Sequence, residues 1–138
     1  METLESIQSK FRQIANQLGS SAALPITPRH DGGAHAEQIG DTYLYIRTER
    51  GSEFQRRQTK DPDEILSWFV EDLTFEIACK WELQLRIPSQ DSRKLLFKRH
   101  VELLRGIKDS WANHQQEQYN DVLTRHPFVD AVQDRTQQ

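Results

Sequence analysis

The segment at positions 61–87, DPDEILSWFVEDLTFEIACKWELQLRI, contains no glycine, and its only proline is the second residue. Asp61 is a good helix N-cap, Pro62 suits the first helical position, and Glu64 stands where a capping box has its glutamate. Pro88 cannot continue a helix, because it lacks the backbone N–H that the next turn needs. The pattern predicts one helix, about 40 Å long at 1.5 Å per residue, against which the rest of the chain must pack.

The apolar side chains of this segment fall on two sides of the predicted helix. At about 100° per residue they form a wide arc and a narrow arc, and acidic seams run between the two. A helix with this pattern is expected to be covered on both sides. The wide arc holds Leu66, Phe69, Val70, Leu73, Ile77, Ala78, Trp81 and Leu85, and the narrow arc holds Ile65, Trp68, Phe75, Cys79 and Leu83.

The acidic side chains of the segment raise the question of catalysis. Glu71 and Glu82 share one seam but lie about 16 Å apart along the axis, which is too far for a pair of catalytic carboxylates. Asp72 and Glu76 share the other seam, where Lys80 follows one turn later and offers an ordinary ion pair. We therefore expect the acids to serve packing and partner binding rather than acid–base chemistry.

Helical and strand patterns are segregated along the rest of the chain. A single apolar stripe near the N-terminus predicts a helix, and a stretch rich in Ser, Pro and Gly follows it. The fold is predicted to be α+β, with an N-terminal helix, a small antiparallel sheet and two or three packed C-terminal helices. The expected segments of a single domain over residues 1–138 are 1–19 for the first helix, 20–34 for an irregular connection, 35–59 for the sheet, 61–87 for the central helix, 90–127 for the helical region and 128–138 for a tail.

A β-hairpin is expected around the sequence ERGS, and residues 35–39 are a candidate third strand. A two-residue turn would place Phe54 beside Arg47, whereas a three-residue turn would place it beside Thr48. We prefer the three-residue turn, because it puts Phe54 on the same face of the sheet as Ile46.

Composition limits the classes of function. The chain has 138 residues and a formal net charge of −3, so it can bury one core, and its weakly acidic balance argues against binding to duplex DNA. Cys79 is the only cysteine, which excludes an internal disulfide and makes a reducing cytoplasm the expected compartment. The sequence pattern predicts neither a signal peptide nor a membrane span. His30, Asp31 and His35 are suitable metal ligands, but no further ligand cluster accompanies them, so no metal site is expected.

Arg93 and His100 lie on the apolar arc of the helix predicted after Pro88. An arginine at a core boundary needs a carboxylate, so Arg93 and Arg86 are predicted to form structural ion pairs with Glu82 or Glu71. His100 is predicted to be a hydrogen-bonded core histidine, because no nucleophile stands at a diagnostic spacing from it.

Several motifs follow one another in a fixed order. They are ERG at 49–51, the segment 61–87, QDSRKLLF at 90–97, ELL at 102–104, Trp111 and HPF at 126–128. Their joint order resembles the immunity protein 63 family, predicted immunity proteins of bacterial polymorphic toxin systems, over roughly residues 40–130. The sequence departs from the family pattern at Trp81 and Ser92, where the family has tyrosine and an aromatic residue.

The resemblance implies a cytoplasmic protein that binds and neutralises a cognate toxin domain encoded by a neighbouring gene. It implies no enzyme activity and no cofactor, and it assigns no functional residues. The alternative is a general adaptor or self-associating interaction protein without a toxin partner, so a homo-oligomer is left open. The predicted toxin-binding residues are charged positions of the hairpin and of the exposed seam, namely Glu49, Arg50, Arg57, Asp72 and Glu76.

Overall fold

The structure is a computed structural model that describes residues 1–130. It has the predicted α+β order, and the candidate third strand is present, so the sheet is three-stranded and antiparallel. Of the predicted tail, the part after residue 130 lies outside the described residues. The elements are α1 Leu4–Gln17, β1 Asp31–Ile39, β2 Thr42–Glu49, β3 Ser52–Thr59, α2 Pro62–Leu85, α3 Ser92–Arg105 and α4 Asp109–Arg125.

Contacts within the chain define two compact units, one covering Met1–Leu73 and the other beginning at Thr74. Helix α2 contributes its first part to the first unit and its remainder to the second. The expectation of a single domain over residues 1–138 stays a prediction. Within the described residues, every helix is too short or too polar to span a bilayer.

Helix α1, Leu4–Gln17, lies within residues 1–19, where the sequence predicts the first helix. Thr3 caps it by accepting a hydrogen bond from the Ser6 backbone N–H at 3.1 Å. Its stripe is buried at Ile7 and Phe11, and Gly19 follows the helix with φ 77°, a conformation that glycine adopts without strain.

Strand β2 is the central strand of the sheet, whose order is β1-β2-β3. Its residues Tyr43, Leu44, Tyr45 and Ile46 are all buried, with exposures of 0–3%. Successive side chains of a strand point to opposite faces, so β2 is covered on both faces of the sheet. Strand β3 has only one sheet neighbour and therefore forms an edge.

Strand β1 begins earlier than the sequence indicated. The predicted irregular connection was to end at residue 34, but β1 starts at Asp31, where it pairs with Glu49 of β2. The register is irregular between Asp31 and Ala34, which places Gly32 and Gly33 inside the strand. Their low strand propensity hid this start, because propensity does not report the pairing partner.

The turn between β2 and β3 has two residues, Arg50 and Gly51, so the preferred three-residue turn was wrong. Glu49 pairs with Ser52 directly across it. Both turn residues have positive φ, 52° and 83°, as the two-residue hairpin turn that follows the right-handed strand twist requires.

A bulge follows immediately after this turn. Thr48 pairs with Glu53, but the next β2 residue, Arg47, pairs with Gln55. From Arg47 onward the strands therefore have the register that a three-residue turn would have given. Phe54 is the extra residue of the bulge, and it is 57% exposed instead of packing on the sheet.

Helix α2 starts where the caps predict and ends two residues early, at Leu85. Asp61 accepts a hydrogen bond from the Asp63 backbone N–H at 2.9 Å. The Thr59 hydroxyl links Glu64 to the cap residue. It donates a hydrogen bond to the Glu64 carboxylate at 2.6 Å and accepts one from the Asp61 backbone N–H at 3.0 Å. Glu64 therefore completes the capping box through Thr59.

The two apolar arcs of α2 are each buried only in part. Ile65 in the narrow arc is fully buried, but Phe75 and Leu83 in the same arc are 42% and 62% exposed. Leu85 at the end of the wide arc is also 52% exposed, so the prediction that both arcs would be covered was wrong for Phe75, Leu83 and Leu85. Periodicity identifies the faces of a helix but not which neighbouring elements reach along its whole length.

Helices α3 and α4 belong to the second unit. Asp91 caps α3, and Gly106 follows its last residue, Arg105, in a right-handed helical conformation. Helix α4 starts at Asp109 and buries Trp111 and Tyr119 on one side.

Candidate functional site

His100 lies in the core of the second unit. It is 2% exposed, its Nδ1 lies 2.5 Å from the Tyr119 hydroxyl, and its Nε2 lies 2.9 Å from Thr74 Oγ1. The Phe75 ring meets the imidazole edge-on at 5.5 Å. The prediction of a hydrogen-bonded core histidine is confirmed, and the ring holds α2, α3 and α4 together.

Glu82 is a buried acid of α2 and pairs with Arg86. Two guanidinium nitrogens of Arg86 donate to the carboxylate at 2.8 and 2.9 Å, and the Glu82 side chain is 5% exposed. The Arg86 hydrogen bonds lower the pKa of Glu82 despite its burial. This predicted pair is confirmed.

Arg93 has a different partner from the one predicted. Its guanidinium binds Asp91, with Nη2 donating to Oδ2 at 2.9 Å, rather than Glu82 or Glu71. Asp91 also accepts from the Arg93 backbone N–H at 3.0 Å, so the cap residue already stands beside the arginine that it neutralises. Helical periodicity did not reveal Asp91 as the partner, because the N-cap residue lies outside the helix.

Asp91 and Arg93 also fasten the segment that follows α4. Arg93 donates to the His126 and Pro127 carbonyl oxygens at 2.9 Å each. Asp91 accepts from the Val129 backbone N–H at 3.0 Å. The QDSRKLLF and HPF motifs therefore meet, and we call Asp91, Arg93 and residues 126–129 the clasp. Its role in the described structure is to fix this segment on α3.

Asp72 of α2 faces the sheet in the first unit. The Tyr45 hydroxyl donates to Oδ2 at 2.5 Å, and Arg47 donates to Oδ1 at 3.0 Å. Burial raises the pKa of Asp72, although the Tyr45 hydrogen bond and the Arg47 charge act in the opposite direction. The cation that binds Asp72 comes from β2, because Arg47 reaches it from 25 positions away in sequence, whereas Lys80 was expected to offer an ion pair to the seam that Asp72 shares with Glu76.

Arg57 of β3 lies over two aromatic rings. Its guanidinium carbon is 4.4 Å from the centroid of Tyr45 and 4.6 Å from that of Trp68. The two rings themselves meet edge-on at 5.9 Å. Arg57 and Asp72 are predicted binding residues, whereas Tyr45 and Trp68, which connect them, were not predicted to be part of the site. The signal available was Trp68 one helical turn before Asp72, on the same face of α2.

The remaining predicted binding residues are exposed. Glu49 and Arg50 lie at the hairpin turn, and Phe54 protrudes from the bulge after it. We call Glu49, Arg50, Phe54 and Arg57 the hairpin surface. Glu76 is exposed on the part of α2 that belongs to the second unit, and the structure does not bring it into the hairpin surface.

The candidate metal ligands near β1 have other partners. Asp31 accepts from the Gly33 backbone N–H at 2.9 Å and pairs with Arg29 at 3.1 Å. His35 is buried, with Nε2 lying 2.7 Å from Glu37. In residues 1–130, no three His, Cys, Asp or Glu side chains form a group that could hold a metal ion.

Arginine-bound carboxylates are the main chemical feature of both units. Asp72 is bound by Arg47 in the first unit, and in the second unit Arg86 binds Glu82 and Arg93 binds Asp91. Carboxylates held in this way stabilise structure or present a charged surface. Among the predicted binding residues, Glu49 and Arg50 are exposed on the hairpin surface, and Glu76 is exposed on α2.

Comparison with known proteins gives one match. The model of the family described as Immunity protein 63 matches residues 40–121. The match covers more than half of the chain, from the residue after β1 into α4, and includes Arg57, Trp68 and Asp72. No curated protein and no solved structure matches the chain.

Proposed function

Because the chain belongs to the immunity protein 63 family, we propose that it binds and neutralises a cognate bacterial toxin domain by stoichiometric protein–protein interaction. The family match over residues 40–121 is the observation that carries the proposal. The partner is the toxin domain of a polymorphic toxin system encoded by a neighbouring gene. The complex forms in the cytoplasm, where it protects the producing cell.

The disposition of the acids in α2 supports binding rather than turnover. Asp72 is committed to Tyr45 and Arg47, and Glu82 is committed to Arg86. His100 is enclosed by core side chains. A catalytic group needs access to substrate, whereas an inhibitor needs only a stable surface that presents a few strong anchors.

The proposed toxin-binding surface is the hairpin surface. It combines an exposed aromatic side chain, Phe54, with charged side chains at the hairpin turn and on the edge strand β3. Aromatic and arginine side chains dominate binding energy in protein interfaces, and surrounding charges steer association. Asp72 supports this surface by binding Tyr45 and Arg47. Glu76 lies outside it and stays a separate predicted contact with the toxin.

A titration tests stoichiometric inhibition. Purified toxin domain from the neighbouring gene is mixed with increasing amounts of this protein, and residual toxin activity is measured. An inhibitor removes activity linearly up to one equivalent, whereas an enzyme that modified the toxin would inactivate it at far lower ratios. A non-cognate toxin domain serves as the control. Absence of both a stable complex and growth rescue on co-expression would refute the proposal.

The alternative of a general adaptor gives a different result. If the protein is a general adaptor, pull-downs from cells that lack the toxin gene should recover the same partner proteins as pull-downs from cells that carry it. Light scattering over a range of protein concentrations would reveal self-association in the absence of toxin.

A further inference from the structure

Arg57 is held in place by aromatic rings. Its guanidinium carbon lies 4.4 Å from the Tyr45 centroid and 4.6 Å from the Trp68 centroid, both within the range of a cation–π contact. Its position on β3 is fixed by pairing with Tyr45 across the sheet. The side chain is therefore ordered before any partner arrives, which lowers the entropy lost on binding.

The charge around Arg57 is not balanced. Asp72 accepts hydrogen bonds from Tyr45 and Arg47, and its ion pair is with Arg47 at 3.0 Å. Two arginines thus surround one carboxylate, and the described residues offer Arg57 no ion pair of its own. One positive charge is left over on this part of the first unit.

The hydrogen-bond capacity of Arg57 is also incompletely used. Its Nε is buried and has no hydrogen-bond partner. A guanidinium has five N–H donors, and an unmet donor away from water carries a free-energy cost. A carboxylate that bound the guanidinium after a small rotation of the side chain would offset this cost.

We propose that Arg57 is the anchor that receives an aspartate or glutamate side chain of the cognate toxin domain. The inference rests on the proposed function and identifies the chemistry of its interface. The planar guanidinium binds a carboxylate through two parallel hydrogen bonds, which a lysine cannot do. The rings of Tyr45 and Trp68 hold the Arg57 guanidinium, and Asp72 holds Tyr45 by accepting the hydrogen bond of its hydroxyl.

A carboxylate fits this site better than the phosphates of a nucleic acid. Glu49 and Glu53 are close in sequence on the same hairpin, and the whole chain has a formal net charge of −3. A polyanion would meet these acids along its length, whereas a single side chain can reach one arginine. The expected partner surface is therefore an isolated acidic residue among neutral or basic ones.

The test compares two adjacent arginines of β3. Arg57→Gln removes the proposed anchor, and Arg56→Gln is the matched control. Arg56 points to the other face of the strand and is bound by Glu53 through two hydrogen bonds of 2.8 Å. We expect Arg57→Gln to weaken the Kd for the neighbouring-gene toxin domain by about 10- to 100-fold, and Arg56→Gln to change it by less than about threefold.

Further variants separate the anchor from mere folding. Arg57→Lys keeps the charge but loses the fork, so it should weaken binding by about 10-fold while its thermal midpoint stays near that of the wild type. Loss of Arg57 should also flatten the dependence of Kd on salt. In double-mutant cycles with Asp→Asn and Glu→Gln variants of the toxin domain, one acid should be non-additive with Arg57→Gln.

The outcomes distinguish the two proposals. If the wild type binds no toxin domain, the proposed function fails. If the wild type binds and Arg57→Gln binds as tightly as Arg56→Gln, the anchor is refuted while the proposed function stands. Absence of any coupled toxin acid also refutes the anchor. The anchor is also refuted if this protein binds a labelled single-stranded oligonucleotide through Arg57 and binds the toxin domain equally well without Arg57.

Discussion

Replacing Asp91 by alanine should destabilise the protein more than any other single change to a partly exposed acid. Its carboxylate caps α3, accepts the Val129 backbone N–H and neutralises Arg93, and the side chain is only 12% exposed. Loss of an N-cap costs about 1 kcal/mol. A hydrogen bond to a charged acceptor adds about 1.5 kcal/mol, which sets the expected loss of unfolding free energy at about 2–3 kcal/mol.

Urea unfolding at neutral pH, followed by circular dichroism, measures this loss. The matched control is Asp109→Ala at the start of α4. Asp109 is 78% exposed and pairs with Arg105 at 3.4 Å, and α4 has no side-chain cap hydrogen bond. Exposed pairs of this kind contribute little, so the control should lose less than about 0.5 kcal/mol. Equal losses in Asp91→Ala and Asp109→Ala would refute the clasp.

Asp91→Asn isolates the charge, because asparagine can still cap a helix. Hydrogen bonds from the Arg93 side chain hold the pKa of Asp91 well below its usual range. A depressed folded-state pKa stabilises the protein above the unfolded pKa of about 4, and this stabilisation is lost as the pH falls further. The stability difference between wild type and Asp91→Asn should therefore shrink on acidification below about pH 4. A difference that stays constant down to pH 2 would contradict this account.

Three other substitutions test the fold. His100→Ala should lose about 3 kcal/mol of unfolding free energy, because it empties a buried site and removes two hydrogen bonds, and a loss below about 1 kcal/mol would exclude that role. Gly51→Ala should cost about 1 kcal/mol in urea unfolding because its φ is 83°, whereas Gly106→Ala, at φ −69°, should be neutral or slightly stabilising. Tyr45→Phe removes the hydroxyl that donates to Asp72, so an NMR titration should show the pKa of Asp72 rising further, and an unchanged pKa would show that the hydrogen bond is unimportant.

The helix boundaries were predictable because helix caps are local. Asp61 and Pro62 start α2 where the sequence indicates, and Asp91 starts α3. Each cap depends on residues within one turn, so the sequence holds all of the relevant information. The same locality explains why Gly19 marks the end of α1.

The sheet was less predictable, because strand pairing depends on residues far apart in sequence. The early start of β1 at Asp31 depends on its pairing with Glu49. The bulge at Phe54 shifts the pairing of β2 and β3 by one residue, so the strands have a two-residue turn but the register of a three-residue turn from Arg47 onward. A local sequence pattern does not reveal such a shift.

The candidate site shows the same division. Its charges were visible on the hairpin, and Arg57 was singled out on that ground. Its support was not visible, because Tyr45 and Trp68 come from two elements that meet only in the folded chain. The partner of Asp72 was missed for the same reason, since Arg47 lies on a different element.

The sequence by itself determined the order of the elements, the start of α2, and the family to which the chain belongs. Periodicity, caps and motif order depend on neighbouring residues, so they are already present in the sequence before the chain folds. Only the tertiary structure decided that Arg47 neutralises Asp72 and that Arg57 lies against the rings of Tyr45 and Trp68. Pairing of charges falls off steeply with distance, and distances between elements are set only by folding.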